Sequence, residues 1–134
     1  MWDEISFTLP TPGRVDAHFG DFTVASDHPP AGRRAGRAPE PFALFLASIG
    51  ACVASFVAEY CRQHDLPLDG VRLVQRQAFA EPDHTIPEFA IDIVVPPGFP
   101  VAHREELIAA ASDCTVKRVM EAAPAFRFTV RVDG

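Results

Sequence analysis

No charged residue occurs from Pro41 to Ala58, and this run of eighteen residues constrains the fold more than any other feature of the chain. An apolar stretch of that length leaves water either as a core helix or as a membrane span. Eighteen residues sit at the lower limit for crossing a bilayer. Five Ala, two Ser, a Gly and a Cys dilute its hydrophobicity, and no Lys or Arg adjoins Pro41. A buried core helix is therefore the expectation, not a membrane span. Pro41 suits a first helical turn, where its missing N–H costs nothing. The helix is expected to run to about His64, with Pro67 as a stop beyond it.

Strand patterns flank this helix. Ile5, Phe7 and Leu9 alternate with polar positions, as do Val15, Ala17 and Phe19. Gly20-Asp21, between Phe19 and Phe22, reads as a two-residue hairpin turn. Residues 28–40 form a loop whose Arg33, Arg34 and Arg37 are either an anion contact or, more simply, a solvated surface. After the helix, Val71 to Ala80 is the least regular strand candidate. Phe89 to Val95 places Phe89, Ile91, Ile93 and Val95 on one face. Phe126 to Val132 alternates most clearly, with Phe126, Phe128, Val130 and Val132 inside and Arg127, Thr129 and Arg131 outside. Helical pieces are expected over about Val101 to Ala111 and Asp113 to Ala122, the second capped by Ser112. This order predicts an α+β fold with an antiparallel sheet, in a single domain spanning residues 1–134.

A net charge of −6 argues against nucleic-acid binding, which leans on basic surface. The opening Met-Trp-Asp-Glu lacks the basic and apolar regions of a signal peptide, so a cytoplasmic protein is expected. Five His lie far apart, with no pair at metal-ligand spacing, and Cys61-x-x-His64 is a weak signal. No metal and no cofactor is expected.

Three cysteines at wide spacing do not read as a secreted disulfide framework. In a reducing compartment, paired cysteines are more often catalytic, redox-active or metal-bound than structural. Taken alone, Cys52 in a helix is a small buried hydrophobe. Cys61 lies nine residues on, on the opposite side and roughly 13 Å along the axis, too far for a disulfide. Should Cys52 form an intramolecular disulfide, its partner is Cys114. Cys114 stands near a helix start, where the helix dipole, Lys117 and Arg118 would lower its pKa while Asp113 opposes them. Ser48, Ser55 and Glu59 share the face of Cys52. The serine hydroxyls either donate to a thiolate or satisfy helix carbonyls.

The stretch Ala38-Pro39-Glu40-Pro41-Phe42-Ala43-Leu44-Phe45-Leu46-Ala47-Ser48-Ile49-Gly50-Ala51-Cys52 resembles the central helix of the OsmC/Ohr family. Ser112-Asp113-Cys114-Thr115-Val116-Lys117-Arg118 resembles its second signature, a Cys at the start of a late helix with Val two residues on. Leu9-Pro10-Thr11-Pro12-Gly13-Arg14-Val15-Asp16-Ala17 is similar to the early strand-turn-strand of one branch. The resemblance covers nearly the whole chain. One departure is Phe42, where the peroxidase members carry a Glu ten residues before the reactive Cys.

The resemblance implies an intertwined homodimer, each subunit giving strands to a shared sheet around two long helices. It implies reduction of small apolar organic hydroperoxides at a thiolate, with an external dithiol as reductant. Cys52 matches the peroxidatic position, Cys114 the resolving one, and Arg14 falls near the family's early Arg. Phe45, Ile49 and Phe56 share the Cys52 face and are the expected pocket lining. Two other readings keep the same fold: a non-enzymatic binding protein with inert cysteines, and a redox sensor.

Overall fold

The structure, a computed structural model, describes residues 4–28, 37–83 and 85–133. Five strands and three α-helices are formed among them: β1 (Ser6–Thr8), β2 (Arg14–Phe19), β3 (Phe22–Asp27), α1 (Pro41–Gln63), β4 (Arg72–Gln77), β5 (Phe89–Val94), α2 (Arg104–Ala111) and α3 (Thr115–Glu121). A 3₁₀ turn, Val101–His103, leads into α2. Strands pair antiparallel in two sheets, β1-β2-β3 and β4-β5. The fold is α+β, as the pattern of elements predicts. Residues group into two compact units, Met1–Ser48 and Ile49–Gly134, with α1 beginning in the first and continuing through the second.

In the first unit, β2 and β3 meet at Phe19↔Phe22 across the two-residue turn. Gly20 supplies the positive φ of 58° that this turn needs. Gly13 has φ +86°, and a Cβ there would stand 2.7 Å from the His28 carbonyl oxygen. Gly13→Ala should therefore lower stability by about 1–2 kcal/mol, read as a lower urea midpoint at unchanged slope. This sheet has little core of its own. Phe7, Phe22 and Val24 are exposed, and Ser26, donating to the Val15 carbonyl, is buried. Of the loop arginines, Arg33 and Arg34 lie outside the described residues. The Arg37 backbone N–H donates to Asp27 at 2.9 Å, with no anion needed to explain its placement.

The second unit holds the core. Val53, Val57, Tyr60 and Cys61 from α1 pack with Phe99, Leu107, Ala111 and Cys114, and Ile91, Ile93 and Val95 close over them. The predicted inward face of β5 is thus observed for these three. α1 ends in a Schellman turn before reaching Pro67. The Leu66 N–H bonds to the Cys61 carbonyl and the Asp65 N–H to that of Arg62, with Asp65 at φ +53°.

Two expectations need correction. α1 has the predicted limits but is not buried all round: only Ile49, Val53, Val57, Tyr60 and Cys61 are buried, along one seam. By length and composition it could cross a membrane, and 17% of its most apolar window is buried. Phe126 to Val132, the clearest strand pattern, pairs with no strand among the described residues. Phe126, Phe128, Val130 and Val132 are 82–98% exposed. A strand needs a neighbour for its N–H and C=O groups, and the alternation cannot say which chain provides it.

Candidate functional site

Cys52 lies on α1 at the border between its buried seam and its exposed face, partly buried and reduced. The exposed face beside it carries Ser48, Ser55 and Glu59. Both serines satisfy helix carbonyls: Ser48 Oγ donates to Phe45 O and Ser55 Oγ to Cys52 O, each at 2.7 Å. Glu59 is held by Arg62 and Gln63. None of the three donates to the Cys52 sulfur.

Cys114 reaches the site from the other end of the unit. It is the N-cap of α3, and its own Sγ accepts the Lys117 N–H at 3.3 Å. Ser112, the expected cap, instead donates to the Ile108 carbonyl within α2. The cap position belongs to the sulfur because Cys114 has the extended backbone (φ −71°, ψ 142°) that a cap requires.

The fold places the Cys52 thiol close enough to act on Cys114. Burial pushes the Cys114 thiol above its ordinary range. The Lys117 N–H pulls it back, and the neighbouring Cys52 thiol adds to the rise. This reverses the expectation of a lowered pKa. Lys117 Nζ is engaged by Glu121 at 3.2 Å, and Arg118 by Asp113. Neither cation is left to favour a thiolate at Cys114. Cys61 is fully buried and reduced, its thiol also raised by burial.

Beside Cys114 an apolar hollow of about 370 Å³ is walled by Ile49, Val53, Phe89, Ile91 and Met120. Of the expected lining residues, Ile49 is in this wall. Phe56 lines a different hollow with Glu59 and Tyr60. Phe45, in the first unit, is exposed and stacks on Phe42 with ring centroids 5.6 Å apart. Phe89, Ile91 and Met120 were legible as apolar but not as neighbours of a cysteine 23 or more residues away in the first two cases. Arg14, on β2, donates from Nε to Asp16 at 2.9 Å.

A second polar cluster joins residues that are far apart in sequence. Tyr60 O–H donates to Glu106 at 2.8 Å and lies 2.7 Å from His103 Nδ1, while His64 Nδ1 lies 2.9 Å from the Tyr60 carbonyl. Burial first, then Glu106, pushes the Tyr60 phenol up to about 12. One ligand atom each from His64, His103 and Glu106 lies within 4.8 Å of the others.

Comparison with known proteins agrees with this arrangement of elements. A structure described as an osmotic stress induced and detoxification response protein of Psychrobacter arcticus matches with TM-score 0.70 at 17% identity, covering 86% of this chain and 85% of that one. An OsmC like protein of Mycoplasma pneumoniae matches with TM-score 0.70 at 14% identity, over 92% and 89%. The organic hydroperoxide resistance protein OhrB of Bacillus subtilis matches with TM-score 0.55 at 15% identity, over 90% and 92%. At such identities the likeness is one of fold. No curated protein matches. A family model described as OsmC-like protein matches residues 34–129, which takes in both α1 with Cys52 and the capping Cys114. The chain belongs to the OsmC-like protein family.

Proposed function

We propose that this protein reduces small organic hydroperoxides with Cys52 as the attacking thiolate and Cys114 as the resolving thiol. The observation that carries this reading is the meeting of two reduced thiols from opposite ends of the unit, Cys52 accessible and Cys114 buried. The Cys52 thiolate attacks the O–O bond of ROOH, giving a sulfenic acid and an alkoxide that takes a proton to leave as ROH. The Cys114 thiol then condenses with the sulfenic acid, forming the disulfide and releasing water. An external dithiol returns both cysteines to thiols and is itself oxidised to a disulfide. As the Cys114 sulfur attacks, its thiol proton passes to the departing sulfenic hydroxyl, which leaves as water. The hollow at Ile49 and Phe89 supplies apolar surface for the R group. Arg14 is proposed, on the family resemblance, as the cation that supports the Cys52 thiolate.

The B. subtilis neighbour is an organic hydroperoxide resistance protein, which supports the same class of substrate. We place the reaction in the cytosol, where dithiol reductants keep cysteines cycling, and without nucleic acid, membrane or cofactor. The working form is proposed to be a homodimer. A second copy would cover the exposed face of α1, the apolar side of β1-β2-β3 and the unpaired segment 126–132.

The resolving step has its own signature. Cys114→Ser should consume one equivalent of hydroperoxide at near wild-type rate, then stall, with a sulfenic acid at Cys52 that a dimedone-type reagent traps. Steady-state turnover with dithiol should fall by about tenfold or more. Unchanged turnover with no trapped sulfenic acid would remove Cys114 from the mechanism.

A further inference from the structure

The Tyr60 cluster carries a feature that its hydrogen bonds define. A carboxylate only accepts, so the single Tyr60 O–H proton goes to Glu106 Oε2. His103 Nδ1, 2.7 Å from the same oxygen, must then be the donor of that contact. The Tyr60 carbonyl likewise only accepts, so His64 Nδ1 is the donor there. Both rings are thereby fixed with the proton on Nδ1 and a free lone pair on Nε2. Glu106 keeps Oε1 free. This is how metal-binding imidazoles are prepared: the outer ring N–H is bound to a carbonyl or hydroxyl, which sets the tautomer and the orientation.

We propose that His64 Nε2, His103 Nε2 and Glu106 form a binding site for a divalent transition-metal ion of the zinc class, with Tyr60 as the positioning residue for all three. Two imidazoles and a carboxylate are a donor set that zinc favours, with a fourth place left for water. Tetrahedral zinc holds its donors about 3.3 Å apart. One ring nitrogen of each histidine and one Glu106 oxygen lie within 4.8 Å of one another, and small adjustments of the exposed His64 and Glu106 side chains would close the remaining gap. The ion would clasp the end of α1 to the start of α2. This site is separate from the thiol chemistry and stands or falls without it.

Zinc sulfate competed against a chromophoric chelator tests the proposal, in the Cys52→Ser/Cys114→Ser protein, where the remaining Cys61 is fully buried and cannot compete for the ion. The expected result is one zinc per chain, with affinity reduced at least about tenfold by His64→Ala and by Glu106→Gln. Tyr60→Phe keeps every ligand but should still weaken binding about 10–100-fold. Zinc should raise the melting temperature of the parent and not of His64→Ala, whose metal-free melting reports on folding. Cobalt bound to the wild-type chain should show d–d bands without thiolate charge transfer. Zinc affinity that is absent in the Cys52→Ser/Cys114→Ser protein, or indifferent to His64→Ala, would overturn the site.

Discussion

Cys52→Ser is expected to bring hydroperoxide consumption down to the uncatalysed level, a loss on the order of 10³-fold or more. The effect should be this large because no other group can take over. Serine is not ionised near neutral pH and is a poor nucleophile towards oxygen. Cys61 has no exposed surface and a thiol raised by burial. Cys114 is likewise buried, its thiol is also raised by burial, and its sulfur is committed to the Lys117 N–H. Neither offers a thiolate to a peroxide arriving from solvent. The measurement is peroxide loss with a small alkyl hydroperoxide and a dithiol, wild type against variant. Equal rates would sink the enzymatic reading and leave a dimeric binding protein with inert cysteines.

The second large effect lies at the C-terminus. Ending the chain after Pro124 should abolish the proposed dimer and leave a monomer that melts far lower or does not fold. Phe126 and Phe128 stack with centroids 6.4 Å apart and planes at 11°, so alternate residues of the segment already share one side. Burying each of the four apolar side chains on that side is worth roughly 1.5–3 kcal/mol. Their sum is on the order of 6–12 kcal/mol, comparable to the whole stability of a domain. Phe128→Asp with Val130→Asp tests the same surface at full chain length, and it should also give monomers in sedimentation velocity. A wild-type chain that sediments as a monomer would refute the homodimer directly.

How much of this was legible in the sequence depends on whether the deciding interaction was local. The limits of α1 follow from missing charges and Pro41, and the β2-β3 turn from Gly20, so both were legible. Ser112 was the natural cap by residue type, yet backbone geometry gave the position to Cys114, two residues on. The raised Cys114 thiol comes from burial and then the neighbouring Cys52, neither of which spacing alone can weigh. Phe45 and Phe56 share a helical face with Cys52, but a face is wider than a pocket, and only Ile49 reaches the hollow at Cys114. His64 and His103 escape any search for ligand spacing because the turn after α1 and the start of α2 bring them together through Tyr60. Alternation predicts a buried strand over 126–132, whereas the segment pairs with no strand among the described residues and its four apolar side chains are exposed.

The sulfur that opens α3 also gives the helix a dependence on oxidation state. As a thiol, Cys114 closes the first turn by accepting the Lys117 N–H. A disulfide to Cys52 would turn that sulfur toward α1 and leave the N–H without its acceptor. Losing an N-cap costs about 1 kcal/mol, which for a two-electron couple corresponds to about 20 mV. Oxidation would thus start from a helix that resists it, and reduction would be assisted by the cap re-forming. In the proposed cycle the first turn of α3 would act as a weak return spring, biasing the pair toward the dithiol.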